Sequence, residues 1–501
     1  MIENLRRNIR DPHRRRLFGA RLGGKMIGLG TVVGLIYGVG WLASTPAGAS
    51  VVGAAGPKTL DVVNSVNTVW TLVAAFLVFF MQAGFMMLEG GFARTREVSN
   101  VMVECIVDTS LCGVLFYAFG FAFMFGPGNA WIGTHYFFLQ NVPHTYGTTG
   151  VAFMAFFLFQ FAFADTASTI VSGAMVGRTA FKGDLVYSIG VSGFIYPIFG
   201  HWVWGPDGWL ATMSTPFRDF AGSTVVHTVG GVLALTGAIA LGPRLGRKFK
   251  RDGGGMPPGH NLTLASLGAV ILWFGWYGFN PGSTLSGLDI EGIGRVATNT
   301  TLAACTGALV AVVWAVFRTG KWDLGLSLNG LLAGLVAITA PCYWVTPTMS
   351  LVIGAIAAII MVIFVDLTEW FRIDDPCGAF AVHGACGIWG TLSVGLFAAG
   401  IYGVPGPTGA DTSGGVVKGL FTGGGADQFL AQLKGSAFVT VATLAAGLIL
   451  MFGVKALGIL RVSEEIEVQG LDIHEHGAPA YHPEPPYEGY SAIPVGKLSS
   501  N

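Results

Sequence analysis

Asp219 to Gly231 reads D-F-A-G-S-T-V-V-H-T-V-G-G, and this stretch decides the fold. It opens an apolar run through Val232, Leu233, Leu235 and Ile239 to Gly242, long enough to cross a bilayer with His227 inside it. The pattern recurs from Asp375 to Gly387, D-P-C-G-A-F-A-V-H-G-A-C-G. Laid one on the other, Asp219 falls on Asp375, Gly222 on Gly378, Val226 on Val382, His227 on His383 and Gly231 on Gly387. Each copy sets an acid eight residues before a histidine and follows it with glycine-rich helix. An ionisable residue inside a membrane span marks a functional site by default. Two in equivalent places of a repeat strengthen that reading.

The composition agrees with a membrane setting. Of 501 residues, 52% are hydrophobic and only 11% are charged, against about 25% charged in an average soluble domain. The mean hydropathy is +0.61. This describes a polytopic, all-α integral membrane protein surrounded by lipid. The net charge of +0 carries little information about partners, since the charges sit in loops and tails, and nothing implies a nucleic acid. The 75 glycines suit close helix–helix approach in lipid. The six cysteines stand singly in or beside apolar runs, without CxxC or Cys/His metal spacing. They read as small packing residues, and neither a metal nor a cofactor is expected.

Residues 1–49 combine a basic region, an apolar stretch from Met26 to Leu42 and an Ala47-Gly48-Ala49 site. That is the layout of a secretory signal peptide, with an uncleaved extra N-terminal helix as the alternative. A membrane domain follows over 60–460, and a polar C-terminal tail over 461–501. Eleven spans are expected, at 67–91, 99–125, 150–177, 184–204, 219–242, 261–281, 297–317, 325–342, 348–367, 376–400 and 435–458. Their connections alternate between two sides. One side holds Arg94, Arg96, Arg178, Lys182, the Arg244–Arg251 cluster, Arg318, Lys321 and Arg372; the other holds Arg218, Arg295 and Lys418. An excess of Lys and Arg marks the cytoplasmic side. The mature N-terminus is therefore expected outside the cell membrane and the tail from Arg461 inside.

This topology gives the histidines their geometry. Span five would run inward and span ten outward, so matching sequences lie in opposite orientation. Spans 1–5 and 6–10 then form an inverted five-helix repeat, which places a substrate site near the midplane. Eight helical residues rise about 12 Å, close to half of a roughly 30 Å hydrocarbon core. His227 and His383 thus arrive at the middle from opposite faces. Each is turned about 80° around its helix from its own aspartate. The acids are better placed to cap helix N-termini. The pair has three readings: a neutral, proton-sharing couple that meets a small polar molecule or a proton; the axial ligands of a b-type haem; or a satisfied core hydrogen bond. Small, crowded glycine patterns argue against a haem-sized cavity.

Four stretches closely resemble the ammonium transporter (Amt) family of the Amt/Rh superfamily. They are D-F-A-G-S-T-V-V-H (219–227), F-G-W-Y-G-F-N-P-G-S (274–283), D-D-P-C-G-A-F-A-V-H-G (374–384) and L-R-V-S-E-E-I-E-V-Q-G-L-D-I-H-E-H-G (460–477). The likeness runs from about residue 60 to 485. It implies a homotrimer of eleven-helix protomers, each with a narrow pore for ammonium or ammonia, and no enzyme activity. By resemblance, Phe159, Trp204 and Ser283 recruit ammonium at an outer vestibule, and Asp219 is the buried acid supporting that site. Phe163 and Phe279 match the stacked rings that close the pore, and His227 and His383 the paired pore histidines. An aromatic face attracts a small cation, whereas an apolar pore refuses hydrated K⁺. Ammonium differs in being able to give up a proton. The implied outcome is transport with net proton transfer, that is, electrogenic uptake.

Three positions depart from the family pattern. Gly378 stands where many relatives carry a second aspartate, Gly177-Arg178 replaces Glu-Arg, and Asp165 lies two residues after Phe163, where a small or apolar residue is expected. At that depth an acid is paired, hydrated or protonated. Glu464, Glu465, Glu467 and Asp472 match the family's cytoplasmic tail, which packs under neighbouring protomers and meets PII-type signalling proteins; a merely solvated acidic tail is the alternative. Pro479 to Asn501 is expected to be flexible. The competing function is an ammonium sensor or transceptor signalling through this tail, though the tail is short for a signalling domain.

Overall fold

The computed structural model describes residues 59–481. The signal-or-helix segment 1–49 and the end of the tail from residue 482 lie outside the described residues. The chain divides into two compact units, 1–62 and 63–501. The described part of the first is the opening turn of α1, and the architecture below concerns the second.

The helices are α1 (Thr59–Phe92), α2 (Val98–Phe125), α3 (Phe153–Gly173), α4 (Phe181–Gly190, running through a π-turn at Val191–Ile195 into Tyr196–Trp204), α5 (Ser223–Leu241), α6 (Leu262–Phe279), α7 (Ile290–Thr319), α8 (Leu324–Ile338), α9 (Pro347–Trp370), α10 (Phe380–Phe397) and α11 (Asp427–Ala456). Two short tail helices follow, α12 (Glu464–Gln469) and α13 (Leu471–His476). Nine of the described helices are long and apolar enough to cross a membrane: all of α1 to α11 except the interrupted α4 and the short α8. The side chains sort as they should for helices in lipid. In α1, Val69, Val73, Phe76, Phe79 and Phe80 face outward while Ala74, Ala75, Val78 and Met81 are buried. The two long connections each carry a small hairpin, β1 (Thr145–Tyr146) with β2 (Val151–Ala152) and β3 (Val404–Gly406) with β4 (Gly409–Asp411).

Two expected spans are corrected. The eighth, 325–342, ends at Ile338. Pro341 has no N–H to give and disfavours helix at the residue before it. The carbonyls freed at this break are used: Thr339 O and Ala340 O accept from the N–H groups of Ala221 and Phe220. The fifth, 219–242, becomes helical only at Ser223. Its first residues form the cap instead: the Asp219 carboxylate accepts from the N–H groups of Gly222 and Ser223 on one oxygen and of Thr224 and Val225 on the other, all within 3.0 Å. Four helix N-terminal donors, which have no partner within the helix, are thereby satisfied by one side chain.

Asp375 repeats the device, accepting from Ala379 and Phe380 at 2.9 Å. Gly222 (φ 114°) and Gly378 (φ 73°) both take the left-handed conformation that the turn into each helix requires. Both helices then open on a π-turn, Ser223–Thr228 and Phe380–Ala385, and each π-turn contains its histidine. Such turns concentrate at functional sites. The helices meet just past them: a Cβ on Gly231 would lie 2.1 Å from the Gly384 backbone nitrogen, so only glycine permits this approach.

At the Arg-rich end, Arg244 makes a bidentate pair with Asp374 (2.8 and 2.9 Å), and Arg247 bonds both Asp374 and Glu369. Burial works to push the Asp374 carboxyl up, but the Arg244 hydrogen bonds and the charges of Arg178 and Arg244 outweigh it and hold the group well below the usual range. The tail folds back onto this cluster. Val462 N–H donates to Arg178 O, and Leu245 N–H donates to the Glu467 carboxylate, which also pairs with Arg461. Asp472 accepts from the Asn100 N–H at 2.9 Å. Glu467 and Asp472 are buried within their own chain, so the solvated reading fails for them, while Glu464 and Glu465 are exposed.

Candidate functional site

The site begins at a cavity of about 280 Å³ lined by Phe159, Phe163, Trp204 and Ser283, together with Gln160 and Phe220. The Trp204 indole N–H donates to the Asp219 carbonyl at 2.8 Å, so the residue whose side chain caps α5 also fixes the indole with its backbone. Asp219 itself does not line the cavity; it acts through Trp204 and the turn at Gly222, where a Cβ would come 3.2 Å from the indole. Ser283 donates its hydroxyl to Phe279 O at 2.7 Å. Its oxygen remains free to accept from a ligand.

Phe159 packs on Phe163 with centroids 4.6 Å apart, and Phe163 stacks on Phe279 at 4.0 Å with 29° between the planes. Both stacked rings are fully buried. Behind them His227 stacks on Phe279 (5.7 Å) and on Trp276 (5.1 Å). Its Nδ1 lies 3.2 Å from Nδ1 of His383, and its Nε2 has no hydrogen-bond partner. One Nδ1 must carry a proton and the other a lone pair. Two nitrogens in direct contact leave no place for an iron-bearing macrocycle between the rings, so the residues do not fit the haem alternative. His383 opens in turn on a second, small cavity of about 20 Å³, lined also by Glu89, Asn329 and Cys377.

Seven of the eight residues singled out in the sequence are thus brought into one file of cavity, stacked rings, paired imidazoles and a second small cavity, and the eighth, Asp219, stands behind Trp204 as the helix cap. Trp276 went unnoticed although it stands in the F-G-W-Y-G-F motif. Its indole N–H donates to Thr339 at the α8 break (2.8 Å), which clamps the ring that backs His227. Gln160 also escaped notice, since nothing in the sequence marks a lone glutamine in an apolar helix. Of the departures, Gly378 could carry a side chain only under strain, with a Cβ 3.0 Å from Asn329 Nδ2. Gly177 (φ 84°) leaves room that the Glu97 carboxylate occupies. Asp165 is fully buried beside Thr109 and Gln82, and neither of its oxygens closes a hydrogen bond of normal geometry.

Helices of membrane-spanning length enclosing a buried polar file define a multi-pass membrane transporter. The family model described as the Ammonium Transporter Family matches residues 69–481, and the chain belongs to that family. It is similar to ammonium transporter Amt2 of Archaeoglobus fulgidus, 45% identical over 83% of this chain and 88% of that one. Against ammonium transporter 1 member 3 of Solanum lycopersicum it is 40% identical, over 84% and 94%. Among solved structures, one named Sensor Amt Protein superposes with TM-score 0.74 at 35% identity, over 83% of this chain and 99% of that one. Mep2 of Saccharomyces cerevisiae gives 0.72 at 27% identity, over 80% and 90%. The two relatives named ammonium transporters are transporters rather than enzymes, and this chain is a membrane-embedded member of the ammonium transport family.

Proposed function

We propose that the protein takes up ammonium across the cell membrane electrogenically. Ammonium is recruited against the faces of Phe159 and Trp204 and the Ser283 oxygen. It loses its proton there, and ammonia passes between Phe163 and Phe279 to the His227–His383 pair. The observation that carries this reading is the Phe163–Phe279 stack lying directly against His227. A desolvated K⁺ would find no counter-charge in such a file, and burying an unpaired ion costs many kcal/mol. Ammonia needs only hydrogen bonds, which a neutral imidazole pair supplies. In this reading α4 and α8 also cross the membrane, which makes eleven spans arranged as the inverted repeat 1–5 and 6–10. The mature N-terminus lies outside, the tail inside, and the protomers assemble as a homotrimer. The test is an ammonium gradient across proteoliposomes, with current and lumenal pH read together. Ammonium-evoked current without a matching K⁺ current is expected; current with both ions equally would sink the reading.

A second reading is a sensor that signals through the tail, favoured by the 35% identity to the structure named Sensor Amt Protein. On either reading the tail is a handle for a PII-type protein. A pull-down with and without residues 461–501 separates the two: a sensor keeps its partner when ammonium flux is blocked at the Phe gate.

A further inference from the structure

The transport file does not use a second set of buried polar groups, which lies between α2 and α4. On α2, Asn100, Glu104, Asp108 and Cys112 recur every four residues; on α4, Asp184, Ser188, Ser192 and Tyr196 do the same. Residues so spaced share one helix face. All eight are buried. The ladders face each other: Asp108 lies beside Ser188 and Asp184, and Cys112 beside Ser192. Each spans about 18 Å along its helix.

This is more than a group of acids. The hydroxyls of Ser188 and Ser192 are fully buried beside Asp108 and Cys112 without closing a hydrogen bond of normal geometry, and the buried Tyr196 hydroxyl likewise has none. Both Asp108 oxygens, one of Asp184 and one of Glu104 lack donors too. Among the described residues, no Lys or Arg forms an ion pair with these carboxylates, and none of the clustered acids is arranged to hold a metal ion. Adjacent buried carboxylates without a cation cannot all be ionised. A proton on one of them supplies the donor that its neighbour lacks, and water would complete the hydroxyls. The ladder also has two ends. At one, Tyr196 lies within electrostatic range of Asp219. At the other, Glu104 lies beside Asn100, whose Oδ1 is 2.8 Å from Nε2 of the half-buried His476. Ser192 sits inside the π-turn that interrupts α4.

We infer that α2 and α4 enclose a proton-carrying file, distinct from the ammonia pore, that runs from Tyr196 near Asp219 to His476 in the tail. The inference rests on the electrogenic reading above. Ammonium gives one proton to the outer end and continues as ammonia. Each carboxyl takes a proton on one oxygen and gives one up from the other, ending as it began. One proton leaves beside His476 and recombines with the arriving ammonia, so the net transfer is one ammonium ion and one charge.

Full-length protein in proteoliposomes tests this, with ammonium-evoked current and lumenal pH recorded together. Asp108→Asn and Asp184→Asn should lower the current by about a hundredfold, the lower end of what a positioned acid contributes to proton transfer. Ammonia should still enter and alkalinise the lumen, and Asp108→Glu should restore current. Tyr196→Phe, which keeps the ring, should show the same split if an Asn variant does not fold. Wild-type current in folded Asn variants overturns the file while leaving the electrogenic reading intact. A wild type that alkalinises its lumen without any current overturns both.

Discussion

The Nδ1 atoms of His227 and His383 face each other at 3.2 Å, in helices that enter the site from sequence positions 156 residues apart. The contact exists because α5 and α10 cross at Gly231 and Gly384 without a side chain between them. A pair that shares one proton presents hydrogen bonds but no fixed charge. His227→Leu should therefore abolish ammonium-evoked current, and the His227→Leu/His383→Leu double variant should lose little more, since the pair acts as a unit. His227→Asp or His383→Glu should draw in water and supply a counter-charge, admitting K⁺. Parallel K⁺ and ammonium currents on each variant decide the matter. Leu variants that conduct like wild type would make the pair purely structural.

Phe279 stacks on Phe163 at 4.0 Å and on His227 at 5.7 Å, so one ring both packs against the ring that lines the larger cavity and backs an imidazole. Phe279→Ala should let water and K⁺ through while ammonium transport falls. Liposome K⁺ flux measures it. A variant as selective and as fast as wild type would reduce Phe279 to packing.

Asp374 ties Arg244 and Arg247 to the turn that starts α10. Removing one partner of a buried pair costs about 3–5 kcal/mol. Asp374→Asn should lower the unfolding midpoint in detergent accordingly. The pH dependence has a definite sign. The folded carboxyl is held below its usual value, so its contribution is full at neutral pH and is lost as pH falls from about 5 toward the folded value. The variant should lack that acid-side loss. Identical melting curves at pH 7 and pH 4 for both proteins would remove the pair from the stability account.

The tail is anchored through Glu467, bonded to Leu245 N–H and Arg461, and through Asp472, bonded to Asn100 N–H. Truncation after Arg461 should impair transport or its shut-off without dissolving the oligomer. Glu467→Ala should reproduce part of the defect. Size-exclusion chromatography and transport assays on the same preparations check both halves, and unchanged transport with unchanged regulation would dismiss the tail as a handle.

Phe159, Phe163, Trp204, Phe279 and Ser283 stood out only through their likeness to the ammonium transporter motifs, whereas the sequence by itself determined the membrane class and the doubled Asp–His pattern. These are legible because lipid forces backbone hydrogen bonds into helices and makes a buried histidine conspicuous. Capping by Asp219 and Asp375 followed from helix rotation alone. The tertiary structure decided what depends on residues far apart in the chain. Thr339 clamps Trp276 behind His227 only because α8 breaks at Pro341 and its loose end meets α6, and the break would otherwise read as a full span. Ser188, Ser192 and Tyr196 look unremarkable in an apolar helix, yet they acquire meaning when α2 brings Asp108 and Cys112 opposite them. A hydroxyl can bond back within its own helix, so sequence cannot say whether it is satisfied. Only packing shows which partners are left over.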